Sequence, residues 1–186
     1  MNRLTRALSI PGWMSPGELA WLESQAKTAA LAIELGSWRG RSSVALTAAD
    51  SLVCVDKFFD QAQETGTGQD LLPFFLESTL PFRDKVTAIR GDISSEEFSE
   101  SLVSQYGGKA DLVFVDASHD EASVRRDIAL ARRLGSPSAV ICGHDFSPAW
   151  PGVMAAVTSL VPGFSVAADS VWWRVNETFD TDSHSI

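Results

Sequence analysis

"IELGSWRGRS", residues 33–42, carries an acid and a leucine into a glycine at Gly36 and reaches a second glycine, Gly40, four positions later. Glycine at such a turn lets backbone approach backbone, or lets backbone approach a ligand, because it lacks Cβ and accepts φ values that other residues avoid. Upstream, "ALAIELG" is a short apolar run ending in an acid and a glycine, which reads as a buried strand. Downstream, "RSSVALTAA" reads as a helix. Strand, tight turn and helix in that order form the opening unit of an α/β sheet.

The same alternation continues in both directions. "SPGELAWLESQAKTA" precedes it, with Ser15 as N-cap, Pro16 at the first helical position and Glu18 three residues after the cap. Buried strands follow at "SLVCVDKF", "KVTAIRGDI", "ADLVFVDASHD" and "SAVICGHDF". Between and after them, "SSEEFSESLVSQY", "DEASVRRDIALARRL" and "WPGVMAAVTSLV" read as helices, the first capped by Ser94 or Ser95. "FSVAADSVWWRV" differs, because only Asp169 and Ser170 separate its two apolar stretches, and that gap is too short for a crossover helix. A hairpin satisfies it. The pattern therefore predicts an α/β fold, a mostly parallel sheet with helices on both faces and an antiparallel final strand. The expected domain spans residues 1–175, with 1–14 as an N-terminal arm and 176–186 as a flexible tail. Residues 60–70, "DQAQETGTGQD", read as the one flexible insertion.

Composition narrows the partners. At 186 residues, 45% hydrophobic and 21% charged, the chain has the makeup of one globular domain. A formal charge of −9 argues against nucleic acid, which needs a positive face. Cys54 and Cys142 each lie inside a strand-like run and read as buried thiols in a reducing compartment. The N-terminus shows no signal-peptide pattern and no stretch approaching the ~18 apolar residues of a membrane span. A cytoplasmic protein is expected, with a small-molecule partner, no membrane contact, and a homo-oligomer left open.

Ligands of an open parallel sheet bind at the carboxyl ends of its strands. Here those ends are Glu34-Leu35-Gly36, Asp56, Asp92, Asp116 and His144-Asp145, an acid in every case. One acid serves as a helix cap; five in register mark a site. A phosphate-binding loop would need lysine and Ser/Thr after its second glycine, whereas Gly40 is followed by Arg41-Ser42. A dinucleotide fingerprint needs G-x-G-x-x-G, and this turn is G-x-x-x-G. Asp56, twenty residues after Gly36, suits the vicinal hydroxyls of a ribose. Asp92 suits the exocyclic amine of an adenine or the capping of the next helix. A pocket crowded with acids repels a pyrophosphate and favours a neutral or cationic adenosine compound.

These residues resemble the class I S-adenosylmethionine-dependent methyltransferases. "ELGSWRG" is similar to their first motif, E/D-x-G-x-x-x-G, while Asp56 and Asp92 match the acids beside ribose and adenine. "FVDASHDEASVRRDI" with "ICGHDF" resembles a small bacterial group carrying D-G-x-H-x-Y…D and G-H-D-Y/F. The resemblance covers residues 15–175 and implies a three-layer Rossmann-like sandwich with a seven-stranded sheet. Departures fall on the acceptor side: Ala117 where glycine is frequent, Glu121 where an aromatic is frequent, and "GSPSA" for a proline-glycine-glycine loop.

The resemblance implies S-adenosylmethionine as cofactor and O-methylation of a small hydroxylated acceptor as the reaction. Gly36, Ser37 and Gly40 would lie along the methionine moiety, with Glu34 facing its amino group, Ile93 on the adenine face, and Asp116 closing the pocket. Asp116, His119, His144 and Asp145 form the chemical end, with two readings. In one, Asp116 and Asp145, with His144 as a third ligand, hold Mg²⁺ against the acceptor hydroxyl. In the other, His119 or His144 is a metal-free general base beside Asp145. Two rival functions stay open: a non-catalytic domain that binds S-adenosylmethionine or S-adenosylhomocysteine, and an NAD-dependent oxidoreductase. The basic face of "SVRRDIALARR" reads as solvated and paired, since Glu121 stands four residues before Arg125.

Overall fold

Five parallel strands stop at one level, and that level is where the chemistry gathers. The computed structural model describes residues 2–59 and 68–176. Its strands are β1 (Leu31–Leu35), β2 (Ser51–Asp56), β3 (Val86–Arg90), β4 (Ala110–Val115), β5 (Gly135–Gly143), β6 (Ser165–Ala167) and β7 (Val171–Val175). They form one seven-stranded sheet in the order β3-β2-β1-β4-β5-β7-β6. Strands β1 to β5 are parallel, and β7 runs antiparallel to both β5 and β6, the short turn Ala168–Ser170 closing the expected hairpin. Leu35 is in register with Val55 and Val115, and Val115 with Gly143. The residues that follow, Gly36, Asp56, Asp116 and His144, therefore emerge along a single edge. The chain winds outward from β1 to β3 and then crosses back to β4, so the switch point falls between β1 and β4.

Strand alternation explains the two cores. Ile33, Leu35, Val53, Val55, Val113, Val115 and Ile141 face the helices α5 (Glu96–Tyr106), α6 (Glu121–Leu134) and α7 (Pro151–Leu160). Ala32, Cys54, Phe114 and Cys142 face the other layer, built from α1 (Arg3–Ser9), α2 (Pro16–Ala26), α3 (Arg41–Leu46) and α4 (Leu72–Thr79). Both strand cysteines are buried free thiols. Burial on two faces is what makes these strands continuous apolar runs.

The helices start as their caps dictate. Ser15 and Glu18 form a reciprocal capping box on α2, Ser95 caps α5, and Asp120 caps α6. Two helices escaped the sequence reading. The expected arm contains α1, capped by Asn2, and it is tied into the fold by Arg6, which donates to the carbonyls of Ser78 and Glu77. Helix α4 follows β2, its Phe75 fully buried. Most of the expected insertion at 60–70, and the tail from residue 177, lie outside the described residues. Asn176, assigned to that tail, is docked: its amide donates to the carbonyls of Arg132, Gly135 and Ser136. Among the described residues, no helix is long and apolar enough to cross a membrane.

Candidate functional site

The turn after β1 uses three left-handed residues, Gly36 (φ 92°), Trp38 (φ 43°) and Gly40 (φ 89°). A Cβ on Gly36 would lie 2.2 Å from the Asp116 carbonyl oxygen, so here backbone meets backbone at the switch point while the same glycine also lines a cleft. Trp38 in this region is strained. Asp56 holds it there, Oδ2 accepting from the amides of Ser37 and Trp38 at 2.8 Å each and Oδ1 from Phe58 at 2.5 Å. The end of β2 thus shapes the turn after β1.

Two expected site residues take other work. Glu34 is fully buried behind the turn, where its carboxylate accepts from the hydroxyls of Ser42 and Ser43 at the start of α3. Strand parity sends Glu34 to the α3 side of the sheet, away from the cleft. Burial raises its pKa, with the bonds from Ser42 and Ser43 opposing. Gly40 is the N-cap of α3 and abuts α4, since a Cβ on it would lie 3.2 Å from the Phe75 ring. It packs helix against helix and does not line the cleft.

The remaining predicted residues come together. A cleft of about 790 Å³ is lined by Gly36, Ser37, Asp56, Asp92, Ile93, Asp116, His119, His144 and Asp145. Asp92 accepts at Oδ1 from the amide and hydroxyl of Ser94, and its Oδ2 lies 3.0 Å from the Lys57 ammonium. Burial raises the Asp92 pKa, but these partners outweigh it and the net shift is downward. Asp92 does not cap α5, a place taken by Ser95.

At the far end, two histidines share one carboxylate. His119 Nε2 lies 2.8 Å from Asp145 Oδ2, and the imidazole stacks on Trp150 with ring centroids 4.0 Å apart. His144 Nδ1 lies 3.1 Å from Asp145 Oδ1 and 3.8 Å from Asp116 Oδ1, while its Nε2 lies 3.2 Å from Glu18 Oε2. Burial disfavours the charged His144 ring, yet Asp145, Glu18 and Asp116 outweigh burial and raise its pKa to about 10. These carboxylates favour the charged form of the His144 ring. Of the two histidines the sequence offered as a base, His119 is the less enclosed by carboxylates. Asp145, despite the opposing effect of burial, is held well below the usual carboxylate range by the two histidines. Asp116 is pushed up to about 7, first by burial and then by Asp145 and Glu34, against the pull of His144 and His119.

Glu18 went unrecognised as part of this network because its capping box already accounted for it. It accepts from the Ser15 amide, from the amide and hydroxyl of Ser170, and from His144. Burial pushes its pKa up, but those bonds prevail and bring it to about 2. Trp13, Arg41, Lys57, Phe59, Arg126 and Asp127 also line the cleft. Asp127 on α6 is nearly fully buried, and burial raises its pKa to about 6. No spacing rule marks these residues, since each reaches the cleft through tertiary packing.

Asp116, His144 and Asp145 each place one ligand atom within 4.8 Å of the others, compact enough for a single ion. The two carboxylates are hard oxygen donors suited to Mg²⁺. Both nitrogens of His144 already face carboxylates, so the fit to an ion runs through Asp116 and Asp145.

A doubly wound sheet with its cleft at the switch point, walled by acids and a glycine turn, defines a Rossmann-like nucleoside-binding domain. The family described as a methyltransferase domain matches residues 33–146, and the chain belongs to it. With it stands the class that the sequence resemblance implied, an S-adenosylmethionine-dependent methyltransferase. Among solved structures, the chain is similar to cofactor-bound Rv0187 from MTB, at 18% identity and TM-score 0.67 over 94% of this chain and 88% of that one. It is also similar to the O-methyltransferase TomG from Streptomyces achromogenes, solved with S-adenosylmethionine, at 16% identity and TM-score 0.67 over 94% and 90%. A third likeness is to MycE of the mycinamycin biosynthetic pathway, solved with Mg, S-adenosylhomocysteine and mycinamycin VI, at 16% identity and TM-score 0.60. That match covers 90% of this chain and 51% of MycE. At these identities the likeness is one of fold. No curated protein sequence matches.

Proposed function

We propose that this protein transfers a methyl group from S-adenosylmethionine to a hydroxyl oxygen of a small acceptor, within one domain spanning residues 1–175. The observation that carries the reading is the His119–Asp145 pair at 2.8 Å, which opens on the same cleft as the Gly36 turn. S-adenosylmethionine, when bound, supplies a methyl group on a cationic sulfur. The residues do the rest. Asp56 Oδ1, with one backbone amide already bound, keeps lone-pair capacity for a ribose hydroxyl, and Asp92 Oδ2 keeps the same for the adenine amine. Ile93 supplies an apolar surface for the base. His119 takes the acceptor proton, and Asp145, ionised, orients the ring and offsets its new charge.

Asp116 and Asp145 would hold Mg²⁺ beside the acceptor hydroxyl, where a cation lowers a hydroxyl pKa. The net charge of −9 and the acids of the cleft favour an uncharged small acceptor over nucleic acid. Buried free thiols at Cys54 and Cys142 fit a reducing, cytoplasmic setting.

Calorimetric titration with S-adenosylmethionine and with NAD, each with and without Mg²⁺, tests the reading. Micromolar affinity for S-adenosylmethionine and none for NAD supports it. Binding of neither would leave the Gly36 turn as packing alone and end the enzyme assignment. In the same assay, Asp56→Ala is expected to weaken S-adenosylmethionine more than about tenfold, roughly the value of a charge-assisted hydrogen bond, in a domain that still folds. Unchanged affinity in the folded variant would remove Asp56 from the site.

A further inference from the structure

We propose that Asp127 of α6 reads the base of the cofactor, its Oδ2 accepting a hydrogen bond from the second N–H of the adenine amine. This deepens the methyltransferase reading and rests on it. The first observation is an acceptor left without a donor. Asp127 is 3% exposed and lines the cleft, yet its Oδ2 has no hydrogen-bond partner among the described residues. It belongs to the buried stripe of α6, whose other members include Val124, Ile128, Ala131 and Leu134. An unpaired carboxylate oxygen on such a stripe costs stability, and a ligand that supplies a donor offsets that cost.

The second observation is the height at which Asp127 sits. Helices α5 and α6 each follow a strand of the parallel set, so they run in the same sense. They are tied by Arg133, which donates to the two carboxylate oxygens of Glu100 at 2.6 and 2.8 Å. Asp127 precedes Arg133 by six residues, about 9 Å of helical rise, whereas α5 begins four residues, about 6 Å, before Glu100. Asp127 therefore stands level with residues 92–95, which lead into α5. Asp92 interacts with it electrostatically, and the Ser118 hydroxyl bonds to it, at Oδ1 because Oδ2 is unpartnered. Asp92, Ile93, Ser94 and Ser118 line the same cleft, so Asp92 and Asp127 flank one part of it.

The third is chemical. The exocyclic amine of adenine carries two N–H donors, and a cleft that excludes water must satisfy both. Asp92 Oδ2, 3.0 Å from the Lys57 ammonium, accounts for one. Asp127 Oδ2 accounts for the other: a buried acceptor without a donor meets a buried donor without an acceptor. A base with a carbonyl in place of the amine would set oxygen lone pairs against each other and be rejected.

Calorimetry on the whole chain tests this with S-adenosylhomocysteine and S-inosylhomocysteine, the latter carrying a carbonyl where adenine has its amine. The native protein is expected to bind the adenosyl ligand at least about tenfold more tightly, the scale of one hydrogen bond to a charged group. Asp127→Asn keeps the side-chain shape, its amide oxygen staying on Ser118 while its NH2 takes the place of Oδ2. That variant is expected to bind S-adenosylhomocysteine about tenfold more weakly and S-inosylhomocysteine no worse than before, so the preference falls about tenfold or more. Without ligand it should melt no lower than the native protein, because a buried, half-paired charge has been removed. A preference that the variant leaves intact, equal weakening of both ligands, or a variant that melts lower or does not fold would each make Asp127 a structural residue and overturn the proposal. Native protein that binds both ligands equally would overturn it too. Native protein that binds neither would instead overturn the methyltransferase reading, and the adenine contact with it.

Discussion

Asp145→Asn is expected to lower kcat by about two to four orders of magnitude, the span of general acid–base catalysis, while S-adenosylmethionine affinity moves less than about threefold. Asparagine is the informative replacement because Asp145 sits at φ 66°, in the left-handed region that asparagine tolerates. The backbone is therefore kept and the charge removed. What is lost is the anion shared by His119 at 2.8 Å and His144 at 3.1 Å. His119 then forms its imidazolium with no carboxylate to offset it, and it can rotate away from the acceptor. Asp145 is also one of the two carboxylates suited to a cation, so added Mg²⁺ should not rescue the variant. Single-turnover rates beside calorimetric binding separate the two effects. Turnover within tenfold of the parent would place the chemistry elsewhere in the cleft.

The second large effect is on stability, and it comes from a residue outside the reaction. Glu18→Ala is expected to destabilise the fold by about 3–5 kcal/mol, the penalty for stranding one member of a buried ion pair. Glu18 and His144 are both almost fully buried, and each is the other's partner across 126 residues of sequence. Alanine also removes the capping box on α2 and the acceptor for Ser170. For a chain of this length, the melting temperature should fall by roughly 10 °C. A change below about 1 kcal/mol would mean that the pair does not brace the fold. The pH dependence carries the same signature. Glu18 has its pKa lowered from 4.5 to about 2, so its contribution is complete above pH 4.5 and is lost as pH falls toward 2. His144 is raised from 6.5 to about 10, so its contribution is complete below pH 6.5 and is lost as pH rises through about 10. Glu18→Ala should shrink the acid limb, to which Asp145 and Asp92 also contribute, and weaken the alkaline one, which urea titrations across pH would read directly.

Much of this molecule is legible in the chain because its signals are local. Buried strands read as apolar runs, Ser15, Ser95 and Asp120 announce their helices, and the gap at Asp169-Ser170 forces the hairpin. The acids at the strand ends could be placed on one edge because parallel register aligns them. Helix α1 was hidden because seven residues capped by Asn2 give too short a periodic pattern. Helix α4 was hidden because "LPFFLEST" is too apolar at its start to show a polar face. At the site, Gly36 lines the cleft, as a glycine at the end of a central strand can. Gly40 and Glu34 lie off the cleft lining, because the sequence shows a glycine or an acid near a turn but not which side of the sheet it faces. The Glu18–His144 pair could not be read at all, because nothing in one sequence links positions that far apart. The Glu18 carboxylate beside His144 was invisible for the same reason.

The guanidinium of Arg41 clamps the segment before α2, donating to the carbonyl of Ile10 and twice to that of Met14. All three of its bonds end on main-chain oxygens, those of Ile10 and Met14, so the clamp reads the path of residues 10–14 and ignores their side chains. Gly12 is the exception, fixed by its closeness to the arginine. Position 13 takes no part in these bonds: its side chain lines the cleft and touches the fold through Trp38, so it can be exchanged while the strap beneath it stays the same. Relatives that keep a counterpart of Arg41 and Gly12 but differ at this one position would share a scaffold and differ in the wall of the cleft, a division of labour open to selection one codon at a time.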